Sequence, residues 1–104
     1  MESFYQYESV AFPLQLIEPG TALYEQAEVV CTLKQGRRKL TKKNPPLNER
    51  TGVVTLKLSQ KETGLFKPGF VQLQVNVFYK NEERDVTDKA LIKVLENLHG
   101  KEMP

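Results

Sequence analysis

The ten residues Phe70-Val71-Gln72-Leu73-Gln74-Val75-Asn76-Val77-Phe78-Tyr79 decide the fold class. Val71, Leu73, Val75 and Val77 occupy every second position, and Gln72, Gln74 and Asn76 stand between them. Successive side chains of a strand point to opposite faces, so this spacing collects four apolar residues on one side and the amides on the other. On a helix the same four residues would scatter around the circumference. The stretch is read as a strand buried on one face.

Working outward, the same two-residue rhythm returns. Val53 to Leu58 places Val54, Leu56 and Leu58 inward, and Ala27 to Lys34 does the same with Val29, Cys31 and Leu33. Ser9 to Ile17 offers Val10, Phe12, Leu14 and Leu16 on one face. Pro13 falls on the other face and has no backbone donor, which consigns this strand to an edge or a bend. Leu40 centres a short strand paired with the one before it. Turn chemistry separates the runs: Glu18-Pro19-Gly20, Gln35-Gly36, Asn44-Pro45-Pro46-Leu47-Asn48 and Lys67-Pro68-Gly69. Ser59 to Gly64 reads as one capped helical turn, with Glu62 at capping-box spacing from Ser59 and Gly64 ending it. Asn81-Glu82-Glu83 reads as a hairpin turn leading to a last strand, Lys89 to Leu95, with Ala90, Ile92 and Val94 inward. A helical stripe of Leu91, Val94, Leu95 and Leu98 is the competing reading of that segment.

Six or seven short antiparallel strands without a long helix predict an all-β sandwich, with a small β-barrel as the alternative. A length of 104 residues is read as one domain over 1–104 with frayed termini at about 1–6 and 97–104. The 39% hydrophobic and 27% charged residues are ordinary for a soluble globular chain. The single Cys31 excludes an intramolecular disulfide and suits a reducing interior. No run of about 18 apolar residues is present, and Met1-Glu2-Ser3-Phe4 has no secretory character, so the expected location is cytoplasmic at synthesis.

Catalytic chemistry finds little to work with. One histidine, His99, and one cysteine cannot make a His/Cys metal set, so no metal or other cofactor is expected. A Cys31–His99 dyad is conceivable, but Cys31 lies on the inward register, where cysteine behaves as a small apolar residue. Glu82, Glu83, Asp85 and Asp88 cluster at a hairpin and its exit, where they are solvated, and they lack the spacing of a calcium loop. The expectation is a protein that binds and does not catalyse.

Two patches are candidates for contact. From Lys34 to Lys43 six of ten residues are cationic: Lys34, Arg37, Arg38, Lys39, Lys42 and Lys43. Such a hairpin can dock on an acidic protein surface or lie along nucleic-acid phosphates, although no aromatic residues interleave to stack bases. Nucleic acid is the less favoured of the two partners. Head-to-tail pairing of the basic hairpin with the acidic one at Glu82 to Asp88 would build a ring or stack. The second patch is the outward row Gln72, Gln74, Asn76 and Phe78, where a large apolar ring stands among amides. Phe4, Tyr5, Tyr7, Phe12 and Tyr24 gather near the front of the chain. Phe12 is expected in the core, with the others capping one end of the sandwich or meeting a partner.

The segment Gly52-Val53-Val54-Thr55-Leu56-Lys57-Leu58-Ser59-Gln60-Lys61-Glu62-Thr63, followed by Phe66-Lys67-Pro68-Gly69-Phe70-Val71-Gln72-Leu73-Gln74-Val75, resembles a group of small proteins encoded in phages and prophages of Firmicutes. Those share a strand ending in Leu-Ser/Thr-Gln, an acidic turn, a strand reading Val-x-Ile/Leu-Gln-Val, and a Ser/Thr-Asp at the start of the last strand, which Thr87-Asp88 matches. A single Glu62 stands where the group often has two acidic residues. The likeness spans Gly52 to Val94 and extends to the immunoglobulin-like N-terminal domains of phage baseplate and tail proteins. It implies an immunoglobulin-like sandwich and a structural or assembly role in a virion, with phage subunits or a second copy of the chain as partners. It implies no catalytic residue.

Overall fold

A computed structural model describes residues 2–15, 20, 22–87 and 89–101. Strands β1 (Glu2–Tyr5), β2 (Val10–Gln15), β3 (Ala27–Gln35), β4 (Arg38–Lys43), β5 (Leu47–Asn48), β6 (Val53–Leu58), β7 (Gly69–Tyr79), β8 (Arg84–Val86) and β9 (Ala90–Leu95) are joined by loops and two short helices, α1 (Leu23–Gln26) and α2 (Gln60–Thr63).

The long alternating stretch becomes β7, and its register organises the larger sheet. Val71, Leu73, Val75 and Val77 are all buried. Gly69 to Leu73 pair with β9, Asn76 to Phe78 with β8, and the opposite edge of β7 pairs with β3. The larger sheet has the order β1-β9-β7-β3-β4, with β8 lying alongside the far half of β7. The smaller sheet is β2-β6-β5. The described strands form two open sheets, and the barrel alternative falls. The order β9-β7-β3-β4 against β2-β6-β5 is the G-F-C-C′ and B-E-D arrangement of an immunoglobulin-like sandwich.

Side chains from both inner faces fill the interior: Val29, Cys31 and Leu33 from β3, Leu56 and Leu58 from β6, and Phe12 from β2. Phe66, on the loop after α2, is also fully buried. Each such side chain stabilises the fold by roughly 1.5–3 kcal/mol relative to exposure. Pro13 lies on β2, whose one neighbour is β6, so its missing donor breaks no ladder. Residues 16–19, which include the expected end of that strand, lie outside the described residues.

The structure departs from expectation at the N-terminus. Glu2–Tyr5 does not fray: it forms β1 and pairs parallel with β9, the one parallel pairing among the described strands. Phe4 anchors it, 1% exposed and tilted against Phe12 with ring centroids 6.1 Å apart. A single apolar residue between polar neighbours gives too short an alternation to be recognised. Past β9, Asn97 donates to the Gln6 carbonyl at 3.0 Å, so the chain is still tied there, although Leu98 and His99 are exposed.

The capping box forms as expected. The Glu62 amide donates to Ser59 Oγ at 3.2 Å and the Ser59 amide donates to Glu62 Oε1 at 2.9 Å. Gly64 ends the helix at φ −69°, in ordinary right-handed geometry, and not with the positive φ common at helix ends. What requires a glycine is the ring of Tyr7, which lies against it. The C-terminal segment is a strand, not a helix, with Ile92 and Val94 buried and Ala90 exposed. Between β8 and β9 the ladder is bridged by Thr87, whose hydroxyl accepts from the Val75 amide at 3.0 Å.

Candidate protein-binding face

The outward residues of β7 run down the middle of the larger sheet: Phe70, Gln72, Gln74, Asn76 and Phe78. Strand register fixes their neighbours. Lys34 of β3 stands beside Gln72, with Lys39 of β4 beyond it, and Leu91 of β9 flanks Gln72 on the other side. Thr32 and Thr41 continue the row from Gln74, and Val30 and Lys43 continue it from Asn76. Lys93 is the neighbour of Phe70. Two patches that are separate in sequence therefore share one surface, because β3 carries Lys34 between them.

The basic hairpin is divided by this geometry. Lys39 and Lys43 share the outward face, and Arg37 and Arg38 are exposed at its end. Lys42 points to the other side and holds Glu62 of α2, with Nζ 2.8 Å from Oε2 and 3.0 Å from Oε1. It is a structural tie between β4 and α2. Burial alone raises the Glu62 carboxyl, but the Lys42 ammonium and the Ser59 amide outweigh it and hold the group below its ordinary range.

The amide row also departs from expectation at one position. Gln72 is exposed and Gln74 half-buried, its Nε2 donating to the Thr87 carbonyl at 3.1 Å. Asn76 is buried and is not a surface contact. Its Oδ1 accepts from Arg84 Nε at 3.0 Å and Nη2 at 2.7 Å, because β8 runs beside it. The Arg84 guanidinium lies over the Phe78 ring, 4.8 Å from the centroid, which leaves Phe78 38% exposed.

Between the hairpin and β9 lies a shallow trough of about 600 Å³ lined by Thr32, Lys34, Gln72, Gln74, Lys89 and Leu91. Phe70 and Leu91 are about half exposed beside it. Lys34, Lys39, Lys89 and Lys93 stand around these apolar groups, Lys43 lies farther along the same face and Glu28 beside Phe78, and the one ion pair among the described residues is Lys42–Glu62. Phe70, Lys89, Leu91, Lys93 and Arg84 were not singled out from sequence. Leu91 and Lys93 had a signal, since an inward Ile92 and Val94 force them outward. Arg84 sits among acidic residues and had none.

The remaining chemical candidates are dispersed. Cys31 is sealed between the sheets, and burial pushes its thiol up to about 11. His99 lies in the exposed turn after β9. Burial also lifts the Tyr24 hydroxyl to about 12, and that hydroxyl donates to the Pro45 carbonyl. Asp85 accepts from the Tyr79 hydroxyl at 3.1 Å, and burial, then this bond, raise the Tyr79 pKa. Glu82 and Glu83 are exposed in the β7–β8 turn, and Asp88 lies outside the described residues. No described helix is long and apolar enough to cross a membrane.

Such a chain, two open sheets carrying a lysine-edged apolar face, belongs by fold to the immunoglobulin-like β-sandwiches. No protein-family profile matches it, and no curated protein matches its sequence. Among solved structures it is similar to a provisionally assigned glycoside hydrolase of Bacteroides vulgatus, with a TM-score of 0.60 and 9% identity over 93% of this chain. The chain spans 17% of that protein's length, and at this identity the likeness is one of fold.

Proposed function

We propose that the chain is a non-catalytic binding module that docks on another protein through the outer face of its larger sheet, as a structural or assembly component of a phage particle. One observation carries the docking reading: Phe70, Leu91 and Phe78 are exposed on the face that also bears Lys34, Lys39, Lys43, Lys89 and Lys93. Apolar anchors within a charged rim are the usual anatomy of a protein interface. The assignment to a phage tail or baseplate rests on the sequence resemblance alone. Nucleic acid is less favoured on this face, because Arg84 lies over one face of the Phe78 ring, which blocks base stacking there, and Phe70 is the one ring along β7 with an open face.

The test is co-expression with the products of the genes that flank its own, followed by affinity purification and light scattering. A complex that is lost in folded Phe78→Ser and Leu91→Ser variants supports the reading. A parent chain that binds none of those products overturns the particle assignment. Binding to DNA or RNA with a steep salt dependence, abolished when Arg37, Arg38 and Lys39 are all replaced by alanine, transfers the function to nucleic acid.

A further inference from the structure

We propose that Arg84 is a preformed carboxylate receptor, through which this face captures an acidic segment of its protein partner; the inference rests on reading the face as a docking surface. A guanidinium carries five N–H donors. Here Nε and Nη2 are turned toward the Asn76 amide oxygen, and the plane is supported by the Phe78 ring. The side chain is thus fixed at its inner edge, while Nη1 and the second Nη2 hydrogen remain for a ligand.

The partner beneath Arg84 is a neutral amide, so the contact itself does not cancel the positive charge; Glu28 stands on the same row across Phe78 and forms no ion pair with it. Arg84 forms no ion pair among the described residues, and neighbouring Asp85 is engaged by Tyr79 instead. Asn76 is buried while Arg84 stays exposed at the surface, and for stability alone an apolar residue at position 76 would serve as well as this polar contact. What Asn76 and Phe78 supply is orientation. An arginine whose rotamers are already restricted loses less entropy on binding, and its planar fork matches the two oxygens of a carboxylate.

The surrounding charge specifies an acidic segment and not a single acidic group. Lys43 stands on the row of Asn76, Lys34 on the row of Gln72, and Lys93 beside Phe70. Eleven residues of β7 make this track about 35 Å long. An extended peptide with carboxylates at intervals meets Arg84 at one end and the lysines along the rest.

The experiment is a titration of the full-length ¹⁵N-labelled chain with an acetylated, amidated hexaglutamate peptide at low salt, reading the Arg84 Nε–H resonance. Inorganic phosphate is titrated in parallel. The expected result is a saturable Arg84 shift, with binding weakened about tenfold in Arg84→Lys, which keeps the charge and loses the fork. Asn76→Asp places a carboxylate under the guanidinium and neutralises it from within. It is expected to lose peptide binding to the same degree while melting no lower than the parent. Arg84→Lys and Asn76→Asp variants that bind like the parent, while Lys34→Glu binds more weakly, overturn the receptor and leave the docking face standing. Absence of a saturable Arg84 shift in the parent overturns the receptor, as does tighter binding of phosphate than of hexaglutamate.

Discussion

Gly64→Ala is expected to destabilise the protein even though the backbone there welcomes alanine. At φ −69° and ψ −12°, any L-residue fits, and removing a glycine restricts the unfolded chain, which by itself stabilises by roughly 0.4–1 kcal/mol. The side chain has no room, however. A Cβ at this position would stand 2.4 Å from Tyr7 Cε1, 2.6 Å from Tyr7 Cδ1 and 3.1 Å from the Gln60 carbonyl oxygen. Tyr7 cannot swing aside freely, since its own backbone is held at φ 62° and its ring is partly buried. Overpacking of this kind costs about 1–3 kcal/mol, which exceeds the entropic gain and leaves a net loss of about 1–2 kcal/mol. For a domain of this size each kcal/mol lost lowers the midpoint of thermal melting by about 4–8 °C. Urea denaturation of the parent, Gly64→Ala, Tyr7→Ala and the double variant measures the coupling. With the ring removed, the alanine is expected to become stabilising by about 0.5 kcal/mol. A Gly64→Ala protein that is more stable than the parent, or a substitution effect equal in both backgrounds, refutes the steric reasoning.

Two further outcomes follow from the titratable groups. Glu62 is held below its ordinary value of 4.5, so its contribution is present above that pH and is lost as pH falls through the lowered value. Glu62→Gln is therefore expected to cost about 1 kcal/mol at neutral pH, and the gap between variant and parent is expected to close below about pH 4.5; urea midpoints across pH 3–7, as a range of about four units, read this directly. Cys31, buried and with its thiol pushed up to about 11, is expected to react with iodoacetamide only as fast as the protein unfolds; labelling of the native chain faster than global opening would show the core to be less closed than described.

Most of the fold was legible because its strands are half-buried and their side chains alternate. β7, β6 and β3 announced both their existence and their inward faces, and the Ser59–Glu62 capping box announced α2. What escaped detection was non-local. Phe4 gives no periodic signal, and its strand exists only because β9, almost ninety residues later, offers an edge for parallel pairing. The site was legible in its parts and not in its assembly. Gln72, Gln74 and Lys39 could each be read as outward, but their union required the register of β3 between β7 and β4. Asn76 was read correctly as outward from β7 and still ended up buried, because the arginine that covers it belongs to β8, which folds back alongside β7.

The free edge of β4 bears on how copies of this protein tolerate crowding. Arg38, Lys39 and Lys43 lie along a rim that has no neighbouring strand among the described residues. Another sheet approaching that rim meets concentrated positive charge before any ladder can form, and a second copy brings the same charge. Molecules held at high local density are thereby kept from zipping side by side into fibrils.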